Sequence, residues 1–397
     1  MKKTIQLILV FIITMTTDGI CQNRSITFID KPFADILAMS RQEHKMVFMD
    51  AYTSWCGPCK WMSAHMFTND TVADFYNKNF ICARYDMEKG EGPKLSQQYR
   101  VRAFPTLLFI NQDGNMVHLR VGAAQSAPEY ISLALNAMDT TECFTAYMKR
   151  YSTGENSPGF IYNYLKRLTD AYLPADVPLN KYLSGQKESD LIKNDNWKII
   201  FSFCNNMESR EFKFLLARQD EFARVHGRDS VNTKIYNVYF KAIIDLARGV
   251  KMSDSAYNAI IHKIHASGYT DANRLIFDAS FNVYQMQGNL VKLMELSYNE
   301  VDTYYHDDPG MLNEVANMML SLSTENKYLE KASQWAKRSV ELKPDVANNE
   351  TSAALFYKLG KKDEAVKYCK NALIIAKKQN LPAETIEENL KKYESGK

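Results

Sequence analysis

This chain of 397 residues lacks three things. It has no excess of charge of one sign: the formal net charge is +3. A balance so close to neutral gives no reason to expect nucleic acid or an anionic membrane surface as a partner. It has no long apolar run beyond its first residues, so nothing further along is expected to cross a membrane. It also has no cysteine framework. Of Cys21, Cys56, Cys59, Cys82, Cys143, Cys204 and Cys369, only Cys56 and Cys59 stand at a motif spacing. The others lie singly among apolar neighbours, as buried packing cysteines do, which argues against a disulfide-stapled scaffold. Whether Cys143 and Cys204 pair stays open at this level. With 46% apolar and 24% charged residues the composition is that of a globular protein. The length exceeds one ordinary core, so about two or three domains are expected.

At the N-terminus, Lys2 and Lys3 precede an apolar run from Ile5 to Ile13 and then small and polar residues up to Cys21. That order is the pattern of a secretory signal peptide over residues 1–21. The expectation is an exported protein, periplasmic or otherwise extracytoplasmic, soluble after cleavage near Cys21. The apolar run is short for about 30 Å of hydrocarbon, which leaves an uncut anchor as the lesser alternative. Asp18, Gly19 and Ile20 make a poor lipobox, so a lipid anchor on Cys21 is the lesser reading too.

Residues 24–138 read as alternating helix and strand. A short helix is expected over Pro32 to Arg41 and a buried strand over Lys45 to Asp50. A helix follows over Gly57 to Met66, with Pro58 in the first turn, where its missing N–H costs nothing. Asn69 or Asp70 can cap the next helix, to about Tyr76. A second strand spans Phe80 to Tyr85, a polar loop Glu88 to Gly92, and a short helix lies near Tyr99. Thr106 to Ile110 and Met116 to Val121 flank a turn at Asn111 to Gly114 and form a hairpin. Pro128 opens a closing helix to Met138. This order predicts a mixed sheet flanked by helices.

Beyond residue 138 the strand patterns stop. Residues 139–160 read as a linker, with a flexible joint at Ser152 to Gly159, and residues 161–397 as an all-helical domain. Ala332, Trp335 and Ser339 recur as Ala365, Tyr368 and Ala372, an offset of 33. With Leu359 and Gly360 ahead of Ala365, this end resembles tetratricopeptide helix pairs from about residue 275, with a weaker echo at Val283 to Gly288. Such arrays offer extended concave surfaces, so a protein partner on the helical part is expected.

The residues that carry chemistry are Trp55-Cys56-Gly57-Pro58-Cys59. Two cysteines three apart at a helix start can close a disulfide. Cys56 lies where unpaired N–H groups and the helix dipole favour an anion, so it is expected to attack, and Cys59 to resolve the mixed disulfide. Lowering a thiol pKa from about 8.5 to about 7 raises its thiolate fraction more than tenfold at neutral pH, partly offset by lower nucleophilicity. A lone pair of this kind can also be half of a zinc site, but zinc wants four ligands, and only His65 and Cys82 are near in sequence. His262 and His265 read as surface histidines, and His306 to Gly310 as a solvated turn. Most tyrosines of the helical part are explained by helix packing.

The segment from Val47 to Lys60 resembles the active-site segment of thioredoxins. Phe104-Pro105-Thr106 resembles that family's cis-proline loop, and Val121-Gly122-Ala123 its third active-site loop. The resemblance spans about 115 residues. It implies a thiol–disulfide oxidoreductase with no cofactor beyond the Cys56–Cys59 disulfide and no metal. It makes Cys56 the nucleophile, Cys59 the resolving cysteine and Asp50 the buried acid that helps deprotonate it, with a raised pKa. Trp55 shields the disulfide. Gly57, Pro58, Phe104, Pro105, Thr106 and Gly122 border the client strand. At the position where this family often carries a lysine beside the acid, the resemblance puts Cys82, which leaves the charge partner of Asp50 unidentified. The Glu88–Gly92 loop is longer than in the simplest members and reads as a substrate-facing insertion. Gly-Pro between the cysteines points to a reductase, with isomerisation also open, acting on client proteins and supplied by a membrane-borne electron donor. The alternative is a protein-binding adaptor on the same scaffold.

Overall fold

The computed structural model describes residues 24–249 and 253–396; the expected signal peptide and Cys21 lie outside them. The chain divides into two compact units, the first ending at Phe203 and the second beginning at Cys204.

The first unit is built on four strands: β1 (Met46–Tyr52), β2 (Phe80–Asp86), β3 (Thr106–Ile110) and β4 (Met116–Val121). Their order is β2-β1-β3-β4, with β1 parallel to β2 and antiparallel to β3, and β3 antiparallel to β4. The expected mixed sheet with flanking helices is present. The helices around it are α1 (Phe33–Glu43), α2 (Gly57–His65), α3 (Asp70–Asn79), α4 (Gly92–Tyr99) and α5 (Ala127–Met138). Alternation along β1 sorts the core. Val47, Met49 and Ala51 join Phe33, Ile36, Leu95 and Tyr99 on one face. Phe48 joins Met62, Tyr76, Phe109 and Tyr130 on the other. Asp50 shares the parity of Phe48. Both faces are covered, so β1 reads as a continuous apolar run except at Asp50.

Local chemistry sets the element ends. Asn69 caps α3, its side chain accepting from the N–H groups of Thr71 and Val72 at 3.1 and 3.2 Å. That helix continues to Asn79, three residues past the expected end, because Phe80 opens the strand directly. Gly92 starts α4 where a Cβ would stand 2.0 Å from the Asp86 carbonyl oxygen, so only glycine fits.

Residues 139–160, expected as a linker, hold α6 (Phe144–Ser152). α6 and α7 (Pro158–Asp170) both pack against β4. His118 of β4 is buried, and its Nδ1 accepts the Phe144 N–H at 3.0 Å. The Cys143 side chain at that N-cap makes no capping hydrogen bond to the backbone, so the imidazole satisfies a helix-start donor instead. Burial lowers the His118 pKa to about 4, keeping the ring neutral and able to accept. The unit continues through α8 (Asp176–Ser184), α9 (Glu188–Leu191) and α10 (Asn194–Phe203).

The described part of the second unit is helical throughout: α11 (Arg210–Ala217), α12 (Gln219–His226), α13 (Arg228–Arg248), α14 (Asp254–Ala266), α15 (Ala272–Met286), α16 (Leu290–Tyr305), α17 (Pro309–Leu322), α18 (Asn326–Leu342), α19 (Val346–Lys358), α20 (Lys362–Lys378) and α21 (Glu384–Ser395). From α15 onward each helix packs on the next. Ala332, Trp335 and Ser339 of α18 and Ala365, Tyr368 and Ala372 of α20 are all buried. The 33-residue echo thus marks positions where small residues let helices approach and one aromatic fills the gap. The tyrosines serve packing here: Tyr236 and Tyr305 donate to the buried Asp278 carboxylate.

Candidate active site

The strand order brings one set of ends together. β1 and β2 run parallel and finish at the same edge. β3 begins there and β4 finishes there, with Thr106 opposite both Ala51 and Val121. The loops leaving these ends carry Cys56, Glu88, Pro105 and Gly122, residues far apart in sequence.

Cys56 is the N-cap of α2, and Pro58 lies in the first turn. The Cys59 N–H donates to the Cys56 sulfur at 3.1 Å. The two sulfurs are bonded to each other, with Cα atoms 5.3 Å apart, and both residues are buried. Gly57 and Pro58 are exposed at the turn. The neighbouring Trp55 is 64% exposed. Its indole N–H donates to the Glu88 carboxylate at 3.0 and 3.1 Å, and its ring meets Phe104 edge-on at 5.9 Å. The Phe104–Pro105 peptide bond is cis. The Pro105 carbonyl accepts the Gly122 N–H at 2.8 Å, and Gly122 has φ +88°, open to glycine without penalty. The Thr106 hydroxyl donates to the Ala103 carbonyl at 2.7 Å and closes the turn before the proline.

Asp50 is fully buried, and neither carboxyl oxygen has a hydrogen-bond partner among the described residues. Its charge partner is Arg84, which lies opposite it in the β1–β2 register with Nη2 3.4 Å from Oδ2. That separation makes an ion pair without the geometry of a hydrogen bond. This corrects the alignment that put Cys82 beside the acid. Cys82 faces Phe48 and lies in the core, where burial pushes its thiol up to about 12. Arg84 is two residues on, on the same face. Its guanidinium stacks 4.4 Å from the Tyr52 ring centroid and donates to the Ser63 hydroxyl at 3.2 Å, while that hydroxyl donates to the Cys59 carbonyl at 3.0 Å. Tyr52, Cys59, Lys60, Ser63 and Arg84 line an open cleft of about 500 Å³.

The thioredoxin-like domain family matches residues 33–138. Thioredoxin-1 of Drosophila melanogaster is 34% identical over 71 residues, covering 18% of this chain and 62% of its own length. A thioredoxin-like protein of Synechocystis is 30% identical over 99 residues, covering 25% of this chain and 89% of its own length. The chain belongs to the thioredoxin-like family. A solution structure from Bacteroides thetaiotaomicron, provisionally assigned as a disulphide-isomerase, is 40% identical, covers 30% of this chain and 98% of its own, and has a TM-score of 0.28.

Within the thioredoxin-like domain, burial raises the Asp50 pKa from 3.8 to about 7, and Arg84 opposes part of that rise. A carboxyl poised near neutrality can hold or take up a proton in the range where thiols exchange. Because the Arg84 side chain is 34% exposed, its pull is screened. An Arg84→Leu protein is expected to titrate Asp50 about one unit higher, and Arg84→Lys close to the parent. The Asp50 carboxyl carbon shift followed by NMR against pH checks this, and an unmoved midpoint in Arg84→Leu removes the electrostatic role.

The remaining candidates resolve plainly. Among the described residues no three His, Cys, Asp or Glu side chains are grouped to hold a metal ion. His65 Nδ1 is paired with the Trp61 carbonyl and Cys82 with the Tyr76 carbonyl. Cys143 and Cys204 are free and buried. His262 and His265 are exposed on α14, and Asp308 caps α17 through the Met311 N–H at 2.9 Å. Arg84 and Glu88 are the site residues that sequence reading missed. The available signal was parity: Arg84 is the next same-face position after Cys82 on a strand parallel to β1.

Proposed function

We propose that this thioredoxin-like protein is an exported oxidoreductase that reduces disulfides in client proteins. The observation that carries the reading is the bonded Cys56–Cys59 pair at the start of α2, where the adjoining Trp55 meets Phe104 of the Pro105 loop, following the strand that holds the buried Asp50 carboxyl. In the reduced protein the Cys56 thiolate attacks a client disulfide. A bond forms from Cys56 to one client sulfur, and the other client sulfur leaves as a thiolate. Cys59, losing its proton towards Asp50, then attacks the Cys56 sulfur. The second client thiol is released and the Cys56–Cys59 disulfide remains. The client gains two electrons and two protons, which a dithiol donor of the membrane must return. The backbone of Phe104, Pro105 and Thr106 borders the client strand together with Gly122, while Trp55, Gly57 and Pro58 flank the sulfur pair. The thioredoxin-like domain over residues 24–138 does the chemistry, and the helical region over 161–397, tetratricopeptide-like from about 275, holds the client. The signal-peptide pattern of residues 1–21 supports export to the periplasm or another extracytoplasmic space.

The reduction potential of the pair tests the direction. Equilibration against dithiothreitol buffers is expected to give a value on the order of −270 mV, as in reducing thioredoxins with Gly-Pro between the cysteines. A value nearer about −180 to −120 mV overturns reduction in favour of isomerisation or oxidation.

A further inference from the structure

The loop after β4 is approached by a residue from outside the first 138. A Cβ placed on Gly122 would lie 4.0 Å from the Tyr172 hydroxyl, within van der Waals contact. Gly122 is hydrogen-bonded to Pro105, which follows Phe104, and Phe104 meets Trp55. The ring of Tyr172 therefore stands at the end of the row of residues that borders the sulfur pair, on a segment belonging to the helical extension.

Three features of this residue are unusual for a mere connector. It is 72% exposed, although it is a large aromatic. Its φ is +51°, the left-handed region that side chains with a Cβ rarely adopt. It occupies the position after the α7 C-cap, Ala171, where the Leu173 N–H donates to the Leu168 carbonyl at 2.8 Å and closes the helix end. Glycine is the usual residue there. A tyrosine held in a glycine conformation, with its ring in solvent beside an active-site loop, gives up local stability for the placement of the ring. Leu173 and Val177 behind it are also exposed apolar residues, at 42% and 74%.

We infer that Tyr172 is a specificity-determining residue: it extends the client groove past Gly122 and selects client segments with an apolar or aromatic side chain near the reacting cysteine. This rests on the oxidoreductase reading above. A flat ring in a groove rim gains contact area from such a side chain at little entropic cost, whereas a small disulfide that meets only the sulfurs does not reach it.

The test uses the full chain with its sulfur pair intact. Tyr172→Gly removes the ring and relieves the left-handed backbone, so folding is favoured rather than threatened. Tyr172→Phe keeps the ring. Each protein, reduced beforehand, is given in single turnovers a disulfide peptide with phenylalanine beside the cysteine, the same peptide with glycine there, and the small aliphatic bis(2-hydroxyethyl) disulfide, with the half-saturating concentration and the maximal rate read as KM and kcat. Tyr172→Gly is expected to raise KM for the phenylalanine peptide about tenfold, or 1.4 kcal/mol, with kcat unchanged. The glycine peptide and the small disulfide are expected to react as with the parent, and Tyr172→Phe to behave as the parent throughout. A KM for the phenylalanine peptide within twofold of the parent, in a protein that still reduces the small disulfide, overturns the inference alone. A parent that reduces none of the three overturns the oxidoreductase reading and this inference with it.

Discussion

A Cys56→Ser protein is expected to reduce insulin with dithiothreitol no faster than dithiothreitol alone, while the parent accelerates it. Serine keeps the shape of the N-cap, but its hydroxyl is not ionised near neutral pH and cannot attack a disulfide. In the parent the attacking sulfur sits where the Cys59 N–H points at it from 3.1 Å, in the first turn of α2. That donor and the helix dipole favour the anion, so the reduced Cys56 thiol is expected to titrate well below the free value of about 8.5. Cys59→Ala separates the two halves of the reaction. Attack still occurs, but nothing breaks the bond that forms, so the protein accumulates as a one-to-one mixed disulfide with its client, visible as a dithiothreitol-sensitive mass shift. Equal insulin rates for parent and Cys56→Ser favour the adaptor reading instead. A Cys59→Ala protein that captures no client argues against work on protein disulfides.

Replacing Asp50 by asparagine is expected to stabilise the first unit above neutral pH and to leave it nearly unchanged near pH 4. The carboxyl is fully buried, and its pKa is raised from 3.8 to about 7. Between those two values the folded protein binds more protons at this site than the unfolded chain. Parent stability therefore falls as pH rises through the window, and the loss is complete once pH passes the folded value. At 1.36 kcal/mol per unit, the ionised carboxylate costs on the order of 4 kcal/mol at pH 8. Asparagine does not titrate, so the gap between the two proteins opens across the same window. For a unit of this size it corresponds to a rise in Tm on the order of 10 °C at pH 8. Urea unfolding at pH 4 and pH 8 measures it, and a gap that does not change with pH removes the claim that Asp50 is held against ionisation. The same variant is expected to turn over more slowly and to retain mixed disulfide, because the resolving thiol loses its proton acceptor. A stability cost carried by a group that speeds the reaction is the usual trade at a working site.

Much of the site could be read along the chain because its signals are local. The Cys56 and Cys59 spacing, the proline in the first turn and the apolar strand before them are properties of adjacent residues, and α2 and β1 formed where the pattern put them. The partner of Asp50 stays unidentified along the chain because it depends on register. Cys82 and Arg84 point to the same face, and only the pairing of Asp50 with Arg84 across β1 and β2 decides between them. The Trp55–Glu88 hydrogen bond joins two loops 33 residues apart and leaves no trace in either one.

The sequence alone determined the chemistry on offer: two sulfurs one helical turn apart, a carboxyl in an apolar strand and a Phe-Pro-Thr segment that resembles the thioredoxin proline loop. Helix starts and strand periods are short-range, so these could be placed without a fold. The tertiary structure alone decided who stands next to whom. It gave Asp50 an arginine, tied α6 to the sheet through His118, and brought Tyr172 near Gly122. Those contacts follow from how the chain closes its core, and burial is a property of the whole unit rather than of any stretch of residues.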